Sequence, residues 1–153
     1  MASEEAYETE LCQFVKQEQL ESNVHFIPNV SPAELRIFYN FADIFILSSR
    51  EYQGDVEGFG IVLLEANLMC TPVVASDSGG IIDAVEDGKT GFLYRCEDVN
   101  DMVEKVFLLL DDKALGASMG QYGRKRAVRK FNWQVVATRT WDVMKAICPN
   151  LEK

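Results

Sequence analysis

Apolar side chains recur at Tyr7, Leu11, Phe14 and Val15, a spacing of i, i+4, i+7 and i+8 that predicts an amphipathic helix over residues 3–19. Val24-His25-Phe26-Ile27 then reads as a short strand. Ser31, Pro32 and Glu34 supply an N-cap, a first-turn proline and a first-turn carboxylate, so a helix is predicted from there to about Phe41. Asp43 to Ser48 holds a continuous apolar run, the pattern of a parallel strand covered on both faces. Residues 49–58 are mostly polar, with Gly54 and Gly58, and read as a loop; Phe59 to Met69 follows as a strongly apolar helix.

Beyond the stop at Thr71-Pro72, Val73 to Ser76 reads as a buried strand and Gly79-Gly80 opens a short helix through Val85. Asp87 to Gly91 is a turn and Phe92 to Tyr94 a last strand. Val99, Met102, Val103, Val106, Phe107 and Leu110 form a helical stripe. Two more helices are predicted, the first interrupted by Gly116, Gly120 and Gly123, the second capped by Asn132, with Trp133 and Trp141 spaced for core packing. Strands alternating with helices predict an α/β fold, a Rossmann-like doubly wound parallel sheet of about four strands, in a single domain over residues 1–153.

Composition narrows the functions. With 48% hydrophobic and 25% charged residues the chain can build a core. A net charge of -9 argues against nucleic-acid binding. The charge is uneven: -5 over residues 1–30, -11 over 31–112 and +7 over 113–153. Arg124, Lys125, Arg126, Arg129 and Lys130 therefore read either as a solvated helical face or as a peripheral contact with an anionic membrane. Cys12, Cys70, Cys96 and Cys148 are far apart and only one histidine, His25, accompanies them, so no metal site is expected. His25 itself reads as a packed or half-exposed strand residue. The acidic start lacks the marks of a signal peptide, which makes a reduced, cytoplasmic setting the simplest expectation.

Chemistry concentrates in Glu57-Gly58-Phe59-Gly60-Ile61-Val62-Leu63-Leu64-Glu65, where a loop after a buried strand enters a helix. Ligands of open α/β sheets bind outside the carboxyl ends of the strands, and a helix amino end presents unpaired amides to an anion. Gly58 and Gly60 clear side chains from the approach of a diphosphate to the backbone. Glu57 lies just before the helix and Glu65 about two turns inside it, roughly 12 Å further along at the standard rise. Its carboxylate interrupts an apolar run, which is costly unless the group is paired. A ribose diol would satisfy it; exposure to solvent or a local backbone bond would too.

The same stretch resembles the E-x7-E motif of the retaining GT-B glycosyltransferases of the large fourth family, the glycosyl transferases group 1. Ala42 to Arg50, Thr71 to Ile81, Asp87 to Phe92 and Phe131-Asn132-Trp133 are similar to further family blocks in the same order, so the likeness covers about residues 24–145. The resemblance implies transfer of a sugar from a nucleotide-sugar with retention, needing no cofactor or metal. It implies that Glu57 contacts the transferred sugar near the reacting carbon and is the catalytic position. The amides of Gly58, Phe59, Gly60, Ile61 and Val62 would cradle sugar and diphosphate, and Glu65 would hold the ribose.

Members of this family also carry an Arg and a Lys that neutralise the donor diphosphate, two further strands and a separate acceptor domain. None has a counterpart in this sequence, where Lys16 is the only basic residue before Val24. The expectation is an N-terminally truncated donor half, inactive in isolation, completed by a missing acceptor domain or partner polypeptide, with sheet edges prone to association. The alternative is a non-catalytic nucleotide-sugar binding or interaction module.

Overall fold

The computed structural model describes residues 4–52 and 54–148; the expected helix start at Ser3 and the loop residue Gln53 lie outside them. The chain divides into two compact units, Met1–Pro32 and Ala33–Lys153. In the first, α1 (Glu4–Gln17) is the expected helix, and its Tyr7 and Phe14 are exposed. The strand expected at Val24–Ile27 does not form. The segment is exposed and no strand among the described residues pairs with it, and a β-prone run without a hydrogen-bonded neighbour cannot become a strand. His25 is exposed with it.

The second unit holds a parallel sheet of three strands rather than about four, in the order β1 (Phe45–Leu47), β2 (Val73–Ser76), β3 (Gly91–Tyr94). Phe45 pairs with Val73, and Val73 with Gly91. The four residues of β2 are all buried, as a central parallel strand requires. Val73 and Ala75 face one core with Tyr39, Leu63, Ala66 and Ile81; Val74 faces the other with Tyr94, Leu109 and Met119. Apart from Tyr94 of β3, the side chains facing β2 come from α2 (Pro32–Phe41), α3 (Ile61–Leu68) and α4 (Ile81–Ala84) on one side and from α5 (Val99–Asp111) and α6 (Lys113–Lys130) on the other. Helices thus lie on both faces of the sheet, the α/β arrangement expected, but β1 is not covered on both faces as its apolar run predicted: it is an edge strand and Ile46 is 43% exposed.

The glycines of α6 do not interrupt it. Gly116, Gly120 and Gly123 are buried on one face, and a methyl group at Gly120 would stand 1.8 Å from the Cys70 carbonyl oxygen. They mark close packing of α6 against the α3 end. Asn67 is fully buried at that contact and donates to the carbonyls of Thr71 (3.0 Å) and Thr90 (3.2 Å), joining α3 to the turn before β3.

The last helix, α7 (Trp133–Ile147), starts at the expected Asn132 cap, whose side chain accepts from the Val135 amide. Its apolar stripe was expected in the core, yet α7 has no buried residue and Trp133 is 87% exposed. Helical spacing identifies an apolar face; no described element covers this one. Among the described residues no helix is long and apolar enough to cross a membrane.

Candidate functional site

The carboxyl ends of the three strands are laced together. The Ser49 carbonyl, just past β1, accepts from the Ser76 hydroxyl at the end of β2 and from the Cys96 thiol beyond β3 (3.8 Å). Asp77 accepts from the Cys96 amide at 2.7 Å and gives its own amide to the Tyr94 carbonyl at 2.9 Å. This rim fixes Ser49, whose hydroxyl donates to Glu57 Oε2 at 3.5 Å. The other carboxylate oxygen of Glu57 accepts from the Gly60 amide at 3.2 Å. Glu57 is therefore held between a strand end and the amino end of α3, where the helix field favours a negative charge.

Helix α3 begins at Ile61, two residues later than the apolar pattern suggested, because Gly60 adopts the left-handed conformation (φ 74°) and serves as its N-cap. Having no side chain, Gly60 leaves the Ile61 and Val62 amides without a capping oxygen. Only Ile61 to Glu65 is helical, about 6 Å of rise, so Glu65 stands one turn inside α3 and not two. The Gly60 amide, expected to face a ligand, is already taken by Glu57. Phe59 lies outside the helix, and its ring meets that of Phe131 at 5.6 Å.

Glu65 is partly buried, and its Oε2 accepts from the Tyr39 hydroxyl of α2 at 3.1 Å. This bond satisfies one oxygen only. Burial, the neighbouring Glu65 charge and the hydrogen bond to it push the Tyr39 phenol up to about 12. A raised folded-state pKa keeps the proton on Tyr39 after the unfolded chain has lost it, so this contribution to stability is full below pH ~10 and is lost as pH rises toward ~12. In Glu65→Gln the neighbouring negative charge is gone, and an ultraviolet titration should find the Tyr39 transition at lower pH than in the parent chain.

A cavity of about 400 Å³ lined by Ser49, Arg50, Tyr52, Asp55, Val56 and Glu57 opens beside the Glu57 carboxylate. Arg50 at its edge reaches Glu97 at 3.8 Å and lies 5.8 Å from the Tyr52 ring centre. A larger hollow, about 840 Å³, is lined by Cys70, Arg124, Lys125, Arg129 and neighbours on α6, and contains none of residues 57–65. The basic run thus splits. Arg124, Lys125, Arg129 and Lys130 are exposed, whereas Arg126 turns inward. The described residues hold no group of three or more His, Cys, Asp and Glu side chains able to take a metal ion.

The structure brings Glu57, Gly58, Phe59, Gly60, Ile61 and Val62 together at the strand ends and sets Glu65 four residues into α3. Sequence reasoning missed Ser49, Tyr39 and Asn67. Asn67 alone left a signal, as a second polar residue inside the apolar Ile61–Met69 run.

Residues 2–126 match the family model described as Glycosyl transferases group 1. The GDP-mannose-dependent alpha-(1-6)-phosphatidylinositol monomannoside mannosyltransferase of Mycobacterium tuberculosis is 33% identical over 125 residues, 80% of this chain and 32% of that protein. Sucrose-phosphate synthase from Thermosynechococcus elongatus superposes with a TM-score of 0.81 at 27% identity, over 93% of this chain and 34% of that one. Anabaena HepE in complex with UDP superposes with a TM-score of 0.82 at 24% identity, over 95% of this chain and 38% of the other, which is a likeness of fold. The chain spans about a third of the length of the relatives it matches.

Proposed function

This chain belongs to the glycosyl transferases group 1 family, and from that premise we propose that it is the donor-binding part of an enzyme that transfers a sugar from a nucleotide-sugar with retention of configuration. The observation that carries the reading is the pair of carboxylates around one helix end. Glu57 sits on the amino tip of α3 at the strand ends, and Glu65 stands one turn inside with one oxygen spare. Between them the uncapped Ile61 and Val62 amides suit a diphosphate. Glu57 would hold the sugar beside the reacting carbon, Gly58 and Phe59 would line its path, and Glu65 would accept from the ribose hydroxyls. That HepE was crystallised with UDP and that the mycobacterial relative is named for GDP-mannose supports a nucleoside-diphosphate sugar while leaving the base open.

Titrating the chain calorimetrically with UDP, GDP and ADP and their hexose conjugates tests this. Saturable binding of at least one diphosphate series is expected; no binding by any of them would sink the reading. Sugar transfer is a separate matter. With no counterpart of the family's Arg and Lys to take up leaving-group charge, the isolated 153-residue chain is expected to give no transfer above the background of donor hydrolysis. Rapid transfer to any acceptor in a radiolabel assay would contradict that.

A further inference from the structure

The turn carrying Glu57 is braced from behind on two sides, and both braces end on Arg126. The first runs through the turn before α4. A methyl group at Gly79 would lie 2.4 Å from the Glu57 carbonyl oxygen and one at Gly80 1.9 Å from that of Gly58, so the two backbone segments are in direct contact. The Gly80 amide donates to the Glu57 carbonyl at 2.9 Å. One turn later α4 ends, and there Arg126 donates from Nη1 to the Ala84 carbonyl (2.6 Å) and from Nη2 to that of Asp83 (2.9 Å). A cation on the last carbonyls of a helix is favoured by its dipole. Glu86 completes the setting, with Oε2 at 3.4 Å from Arg126 Nε.

The second brace runs through aromatic rings. The Arg126 guanidinium lies 4.9 Å from the centre of the Phe131 ring, and Phe131 packs on Phe59, two residues from Glu57. One planar fork thus serves two carbonyls, a carboxylate and a ring face, a combination lysine cannot reproduce. The side chain is only 11% exposed, unlike the rest of the basic run.

We infer that Arg126 is a positioning residue for the candidate donor site: it holds α4 and Phe131, and through them sets where the Glu57 carboxylate and the Gly58–Gly60 backbone stand. The inference rests on the donor-site reading for its functional meaning, but its structural content can be tested without a ligand.

The experiment is amide hydrogen exchange on the full chain, parent against Arg126→Lys, with UDP and GDP titrated into both proteins. Exchange of the Gly80 and Gly60 amides should quicken about tenfold in the variant while Val74 and Ala75 of β2 keep their protection. Phe131→Leu, which leaves the Arg126 bonds to α4 intact, should quicken Gly60 alone and serves if Arg126→Lys does not fold. Unchanged exchange at Gly80 and Gly60, or a rise spread equally over β2, would overturn the inference. Where the parent binds UDP or GDP, the Arg126→Lys protein should bind it about tenfold more weakly at the same folded fraction, and equal affinity would also overturn it. A parent that binds neither nucleotide removes the donor-site reading, and exchange still decides the role of Arg126.

Discussion

Gly80→Ala is expected to destabilise the protein by about 3 kcal/mol or more, at the upper end of what overpacking costs. The new methyl carbon would stand 1.9 Å from the Gly58 carbonyl oxygen and 2.7 Å from its carbon. Both are main-chain atoms, so no rotamer change relieves the clash, and the Glu57 turn or α4 must move. Gly58→Ala is the informative contrast. A methyl group there meets nothing within 4 Å, and the residue does not have a positive φ. Urea unfolding should find it within ~0.5 kcal/mol of the parent, as for an ordinary surface substitution. Its open space is nevertheless where the bound sugar would lie, so Gly58→Ala should weaken nucleotide-sugar binding while the fold stands. A Gly80→Ala protein as stable as the parent would show that the contact between the two turns is not tight.

Glu65→Ala should lower nucleotide affinity by roughly 10- to 100-fold, the worth of about 1.5–3 kcal/mol for hydrogen bonds to a charged group. Calorimetry with the tightest-binding nucleoside diphosphate measures it, and the matching 2′,3′-dideoxy nucleotide supplies the cross-check. If Glu65 accepts from the ribose, the dideoxy compound should bind the parent weakly and bind parent and variant alike. A variant that binds as the parent does would mean that Glu65 serves only Tyr39. That local role is real, since the Tyr39 hydroxyl donates to Oε2. Its loss should appear as reduced stability, separable from affinity by measuring both.

Much of the frame was legible in the residues because local signals and tertiary structure agree. Ser31, Pro32 and Glu34 announce α2, Asn132 announces α7, and the unbroken apolar run Val73-Val74-Ala75 announces a strand buried on both faces. The misreadings share a cause, which is that periodicity reports what a segment can bury and not what covers it. Trp133 and Trp141 lie on a helical stripe, and α7 nonetheless buries nothing. Val24 to Ile27 has strand composition without a neighbour to pair with. The α6 glycines look like helix breakers in a linear reading, yet Gly120 and Gly123 admit Cys70 and Asn67 at distances a side chain would forbid.

The site divides the same way. Glu57 and Glu65 stand out because a carboxylate entering or interrupting an apolar helix demands a partner. Those partners come from far along the chain: Tyr39 is 26 residues from Glu65, and Ser49 bonds Glu57 across the loop. Arg126 was hidden among four other basic residues of similar appearance, and only the packing of α4 and Phe131 separates it from them. Gly60 carries no such local signal either, because its left-handed backbone, set by the fold, moves the helix start and turns its amide to Glu57.

The most direct test of the donor-site reading is an NMR titration of the ¹⁵N-labelled chain with UDP and GDP, following backbone amides. Nucleotide binding at the amino end of α3 predicts saturable shifts at Gly58, Phe59, Ile61 and Val62, which in Glu65→Ala need roughly 10- to 100-fold more nucleotide to saturate. Shifts confined to the α6 hollow around Arg124 and Arg129, or none at α3 with either nucleotide, would contradict it.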